Sequence, residues 1–420
     1  MLIEILAGIN LACGVIFFVC YALQLIYLIT AIIKRPRKFP DAPEDKRYAV
    51  MIAARDEEDV IGYLIDSIRA QSYPSDLIDV YVAADNCTDK TADVAKAHGA
   101  AVYERHDTEH IGKGFVLHYL TDIIYNEKPH DYYDAFIIID ADNVLDTNFI
   151  REMNKCFSDG HRIITSYRNS KNFGDNWISA GSGLWFLREA SQLNAGRMII
   201  GSSCAVSGTG FLVSREIIEA QGGWKHFLMI EDIEFTIDNI LGGEVIAYCP
   251  DAIIYDEQPT KLSQSWRQHV RWARGALQLL GGYGVRLVKG IFRGPRLACY
   301  DMLMSFYPAY IITLIGFIAN IVSIITMAFT GNSPLFWSSV VRLLSGMYTM
   351  TYIMGLIAVI TEWRRIHCRA WKKIFYTFTF PFFMATYLPE AVAALFSKAS
   401  WKPIHHTVQK TLEDIESQKN

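Results

Sequence analysis

The chain has 420 residues, 51% of them hydrophobic and 13% aromatic, with 40 basic and 44 acidic side chains and a net charge of −4. That length accommodates a catalytic domain plus further elements, and the apolar share exceeds what a purely soluble enzyme needs. The near-neutral charge leaves no basic surplus for phosphates, which argues against a nucleic-acid partner, and the eight scattered cysteines form no C-x-x-C pair with histidines to complete a zinc site.

Residues 5–33 carry no charge and are longer than the roughly 20 residues that cross a bilayer, which predicts a transmembrane helix over residues 1–34. Lys34-Arg35-Pro36-Arg37-Lys38 follows directly, and no basic stretch precedes the apolar run as it would in a signal peptide. Positive charge stays in the cytoplasm, so the N-terminus is expected outside and the next domain inside.

After a linker, residues 48–54 read as a buried strand and 57–71 as an amphipathic helix. Strands over 78–84, 100–104 and 135–139 then alternate with helices over 91–98 and 113–125. This alternation predicts an α/β domain over 35–262 with a mostly parallel mixed sheet and ligands beyond the strands' carboxyl ends. Segments 185–193, 204–213 and 231–241 add mixed elements.

Residues 263–300 are basic and aromatic, as in helices lying at a membrane surface. Residues 301–361 predict a transmembrane hairpin, with apolar runs 302–329 and 343–360 around a turn at 330–334. Residues 362–373 predict an interfacial helix at the cytosolic face. Residues 374–397 either span or re-enter, because Pro381 and Pro389 interrupt them. Residues 398–420 form a tail, solvated from 412 onward.

The chemistry gathers at strand ends. Asp140-Ala-Asp142 closes a buried strand, and such a pair can hold Mg²⁺ or Mn²⁺ that takes its other ligands from substrate phosphates. A turn or cap would use the same residues. Asp85 ends another strand, where it could accept hydrogen bonds from a uracil ring, while Thr88 or Asp89 caps the helix that follows. Ala53 and Glu57 stand at the end of the first strand.

Together, residues 53–57, 85–91 and 140–142 resemble the inverting family 2 glycosyltransferases of the GT-A fold, and the resemblance runs through nearly the whole chain. Glu231-Asp232 resembles the family's E-D motif, which implies that Asp232 is the general base beside Glu231. Lys113 matches a position near the nucleotide. Gln268-His269-Val270-Arg271-Trp272 matches the Q-x-x-R-W motif of membrane-integrated members that make cellulose, mixed-linkage glucan, chitin and hyaluronan. By that resemblance Gln268, Arg271 and Trp272 contact donor or acceptor, and Arg271 offers a fork of donors suited to a diphosphate. Ser207, Gly208, Thr209 and Gly210 match an acceptor-contacting loop. Trp401, His405 and Thr407 resemble a gating segment. His269 and Ile230 depart from the usual motif residues.

The resemblance implies a multi-pass plasma-membrane enzyme with a cytosolic catalytic domain. It would transfer sugar from a UDP-sugar, UDP-glucose first and UDP-N-acetylglucosamine second, to a growing β-glycan acceptor that it also translocates. Glycosylation of a lipid, as in glucosylceramide synthases, is the alternative acceptor chemistry. The set of Asp140, Asp142, Asp232 and Arg271 argues against a catalytically silent scaffold. Accessory subunits are not indicated either way.

Overall fold

Residues 2–306, 308–329, 333–397 and 405–418 are described by the computed structural model. The chain starts with helix α1 (Leu2–Ile33) and then enters an eight-stranded sheet in the order β3-β2-β1-β4-β7-β6-β8-β5. Strands β1 (Tyr48–Ala54), β2 (Ile78–Asp85), β3 (Ala101–Arg105) and β4 (Ala135–Asp140) are mutually parallel. Their apolar runs suit strands covered on both faces. Between them lie α2 (Ile61–Arg69), α3 (Thr91–Ala97) and α4 (Lys113–Glu127). Helix α2 buries Ile61, Leu64, Ile65 and Ile68, the 3.6-residue stripe of a helix seated on a sheet.

Short β5 (Val144–Leu145), α5 (Phe149–Ser158) and β6 (Ile163–Ser170) follow, then α6 (Trp177–Arg188). Helix α6 runs into a π-helical turn over Glu189–Asn194 and then α7 (Ala195–Ile199). Strand β7 (Phe211–Ser214) lies antiparallel between β4 and β6. After α8 (Arg215–Ala220) and α9 (Glu231–Leu241), β8 (Ile246–Asp256) pairs in parallel with β6. The antiparallel β7 makes the sheet mixed, as expected from the sequence.

Beyond the sheet, α10 (Leu262–Arg293) is one 32-residue helix, followed by α11 (Arg296–Phe306), α12 (Pro308–Phe329), α13 (Ser333–Thr361), α14 (Ala370–Phe396) and α15 (Leu412–Ser417). Among the described residues, helices over 8–33, 337–361 and 370–396 are long and apolar enough to cross a membrane, and 315–329 is a shorter apolar helix.

Several expectations are corrected. Residues 57–60 form a turn instead of the start of α2, because the Glu57 N–H donates to Thr91 Oγ1 and Asp56 takes a positive φ of 56°. Thr88 and Asp89 precede the helix start, where Lys90 is the capping position without a side-chain bond; Asp89 instead receives the Thr91 N–H at 3.0 Å. Residues 362–369 are not an interfacial helix: buried Glu362 accepts the Tyr167 hydroxyl at 2.6 Å, which turns the chain back onto the sheet domain. Helix α14 is continuous through both prolines. The end of the chain is not a solvated tail, since Ile415 of α15 is fully buried with Val144 and Tyr255. Residues 330–332, in the expected turn, and Trp401 lie outside the described residues.

Candidate active site

Sheet register assembles the site before any side chain is considered. Ala53 pairs with Asp140 and Ala54 with Ala84, so the carboxyl ends of β1, β2 and β4 finish side by side. Helix α9 then begins at Glu231, directing its free N–H groups and the positive end of its dipole toward its first-turn carboxylates Glu231 and Asp232. Helix α10 brings Gln268, Arg271 and Trp272 from the opposite side. All these groups line one cavity of about 1630 Å³.

At its polar end, Lys113 at the start of α4 forms an ion pair with Asp140 and donates to the Gly208 carbonyl at 2.7 Å, with Glu231 4.0 Å away. Asp142 is buried, which pushes its carboxyl well above the ordinary range, against the pull of His406 and with Asp256 adding to the rise. His406 reaches in from the segment before α15. Its Nδ1 lies 2.9 and 3.0 Å from the two Glu57 oxygens, and its Nε2 lies 3.6 Å from Asp142. Burial alone would lower the imidazole, but Asp142 and Glu57 outweigh it and hold it up at about 10.

Burial also raises Glu231 to about 7, opposed by Lys113 and assisted by Asp232, and it raises Asp232 against its backbone N–H bonds and Lys113. A carboxylate held above its usual value is a stronger base. Arg271 makes no hydrogen bond or ion pair among the described residues, and burial lowers its guanidinium despite Glu231, Asp140 and Asp232 nearby. A half-buried cation with no partner among the described residues, facing a cavity, is matched to an anion. Trp272 packs edge-on against Phe186 at 6.0 Å, and the Gln268 Oε1 is buried without a hydrogen bond.

Sequence reasoning missed three residues. Arg168 on β6 donates from Nε to Asp256 at 2.8 Å and from Nη1 to the Ser207 carbonyl at 2.7 Å, its guanidinium lying 3.6 Å from the Phe186 ring centroid. It fixes the loop beside Asp232. Asp256 ends β8, the same strand-end signal as Asp140, and was legible on that ground. His406 was passed over in favour of its neighbours.

Other expected residues are placed differently. Thr209 is buried, accepting the Asp140 N–H at 2.8 Å and donating to Asn143 at 2.6 Å, so it braces the end of β4 and does not reach the cavity. Gly210, with φ of +63°, is also off the wall, whereas Ser207 and Gly208 are on it. Asp85 lines the cavity with its Oδ1 already bonded to Arg105 at 2.6 Å and Asn86 at 3.0 Å. His405 turns to Asp59 at 3.7 Å. Thr407 is exposed, its N–H donating to Glu257 at 3.1 Å. Neither faces the cavity.

The donor set suits a divalent cation. Asp140 and Asp142 line the cavity as carboxylates balanced by Lys113 and His406, and Glu57 fixes His406 through its Nδ1. Asp56, Cys87 and Asp89 are the only described trio with ligand atoms within 4.8 Å of one another. That trio is poorer, because Asp56 and Asp89 are bonded to Thr88 and Thr91 and burial raises the Cys87 thiol.

Comparison with known proteins agrees with this arrangement. The chain is 22% identical over 360 residues to "Probable glycosyltransferase YdaM" of Bacillus subtilis (strain 168), covering 77% of each. It is 24% identical to "Beta-monoglucosyldiacylglycerol synthase" of Synechocystis sp., over 54% of this chain and 47% of that protein. Its fold is similar to the mannosyltransferase PcManGT from Pyrobaculum calidifontis, solved with GDP-Man and Mn²⁺. That likeness has a TM-score of 0.58 at 16% identity and covers 94% of this chain and 99% of that one. Residues 43–275 match the family described as "Glycosyltransferase like family 2", and the chain belongs to that family as a hexosyltransferase of GT-A-like fold.

Proposed function

We propose that this protein is an inverting, membrane-embedded transferase that moves a hexose from a UDP-sugar to a hydroxyl group of a membrane lipid at the cytosolic face. The observation that carries the acceptor class is the continuity of the cavity. From Asp232 it extends without a partition to aliphatic and methionine side chains of α13 and α14, among them Leu344, Met350, Met354, Leu388 and Val392. Such an aliphatic lining suits acyl chains. This reverses the order of acceptors expected from sequence and puts the polymer second. The named synthase of Synechocystis, which by its name makes a glucosyl lipid, supports the same choice.

In this reading Asp232 takes the proton of the acceptor hydroxyl as its oxygen attacks the anomeric carbon. The bond from that carbon to the diphosphate oxygen breaks on the opposite face, inverting the configuration. Arg271 and Lys113 face the departing diphosphate. Bound Mg²⁺ or Mn²⁺, held by Asp140 and Asp142, would supply further positive charge to that leaving group. Glu57 holds His406 in orientation, and Arg168 keeps the Ser207-Gly208 loop beside the base.

The test is to incubate detergent-purified protein with UDP-sugars and Mn²⁺, offering diacylglycerol or short oligosaccharides as acceptors. A product that partitions into organic solvent is expected. A water-soluble or insoluble glycan degraded by glycan hydrolases, with no labelled lipid, overturns the acceptor assignment. Asp232→Asn is expected to cut turnover by about 10³-fold or more with UDP binding retained.

A further inference from the structure

The wall between the base and the membrane helices holds polar groups that the reaction above does not use. At the end of α6 the backbone widens into the π-helical turn Glu189–Asn194, a rare local geometry that re-aims side chains and is frequent at functional sites. Arg188, Glu189 and Gln192 from this region all line the cavity. The Glu189 carboxylate makes no hydrogen bond or ion pair among the described residues, and its charged neighbours are Arg197, Arg168, Asp232 and Arg188. It lines the same cavity as Asp232. Gln192 is only 2% exposed, yet its Nε2 has no partner. Arg188 donates one N–H to Gln24 of α1 at 2.8 Å and has no carboxylate within ion-pair distance among the described residues. Arg197, a neighbour in the same wall, is by contrast bonded to Asp301 at 2.6 Å and Asn194 at 3.0 Å.

We propose that Arg188, Glu189 and Gln192 form a shelf that recognises the acceptor's head group and selects an uncharged, hydroxyl-bearing one over a phosphate-bearing one. This assignment rests on the lipid-acceptor reading. A hydroxyl donates to Glu189 and accepts from Gln192 or Arg188, so each unpaired group gains a bond. A phosphate in the same place meets two carboxylates, Glu189 and Asp232, against one arginine unpaired among the described residues, Arg188, because Arg168 and Arg197 are already paired with Asp256 and Asp301, in a site sheltered from water where like charges repel strongly. The mixed donor and acceptor set is thus complementary to a neutral glycerol or sugar head group, with its acyl chains directed toward α13 and α14.

Full-length protein in mixed micelles, with the UDP-sugar that the wild type turns over, provides the test. Dioleoylglycerol and dioleoylphosphatidylglycerol are the two probes, since both carry a free hydroxyl and only the second carries a phosphate. The wild type is expected to favour dioleoylglycerol by about tenfold or more in kcat/KM, and Glu189→Gln to bring that ratio toward one. Gln192→Ala is expected to raise the acceptor KM by about tenfold while the Kd for UDP stays constant. Glu189→Asp keeps the charge but withdraws it, so it should retain the preference with a higher acceptor KM. UDP titration verifies the fold of each variant. If lipid is glycosylated but the variants keep wild-type preference and acceptor KM, or the wild type favours the anionic lipid, the shelf is wrong and the lipid reading stands. If the wild type glycosylates neither lipid, both fall together.

Discussion

At the scale of single residues, His406 decides how the polar end of the cavity is organised. It joins Glu57 after β1 to Asp142 after β4, two carboxylates 85 positions apart in the chain. His406→Ala leaves Asp142 buried without its cation. Because His406 holds Asp142, a proposed metal ligand, the substitution should raise half-saturating Mn²⁺ by about 10- to 100-fold, read from activity against Mn²⁺ after chelation. Unchanged metal dependence would remove His406 from that role. The Asp140, Asp142 and Asp232 positions were legible because a strand end and a helix start are local patterns. His406 was not, because neighbours in an extended segment point to opposite sides, and a choice one residue off selects the exposed His405 and Thr407. Glu189 and Gln192 were hidden for another reason: a π-helical turn breaks the 3.6-residue period by which a helix face is read.

At the scale of elements, the contacts between the sheet domain and the apolar helices are the least visible in sequence. Gly181 of α6 lies against Phe383 of α14 so closely that a Cβ would overlap the ring. Gly181→Ala is expected to destabilise that packing by about 1–3 kcal/mol, seen as a lower unfolding temperature in detergent. A second joint is the fully buried pair of Arg197 on α7 and Asp301 on α11, 2.6 Å apart, with Tyr27 of α1 beneath the guanidinium at 5.6 Å. Asp301→Ala strands a buried cation and should cost about 3–5 kcal/mol by the same measurement. The alternation of strands and helices up to β4 was read correctly, because each element carries its own periodicity. The interfacial helix expected over 362–373 failed, because composition cannot report that Glu362 is held by Tyr167, 195 positions earlier.

At the scale of the whole molecule, the segment around α15 is tied back over the sheet domain. The Thr407 and Val408 N–H groups bind Glu257, Lys410 lies 3.7 Å from Asp175, and Ile415 inserts beside Val144 and Tyr255. Burial of an isoleucine contributes about 1.5–3 kcal/mol, so Ile415→Asp should release this strap. The variant is expected to show the kinetic signature of His406→Ala although it lies outside the cavity, whereas wild-type kinetics would show that the strap stays in place without Ile415.

Helix α14 has a mechanical consequence. It meets α6 through Phe383 and Gly181, and it meets α10 through Glu390, whose carboxylate lies 2.9 Å from His269, two positions before Arg271. Both walls of the reaction chamber therefore hang from one apolar helix that is long enough to cross a membrane. Under the proposed membrane placement, bilayer thickness becomes an input to the spacing between Arg271 and the sheet through hydrophobic mismatch. Turnover in vesicles of graded acyl length should pass through an optimum, and His269→Ala, by uncoupling that helix from α10, should flatten that profile.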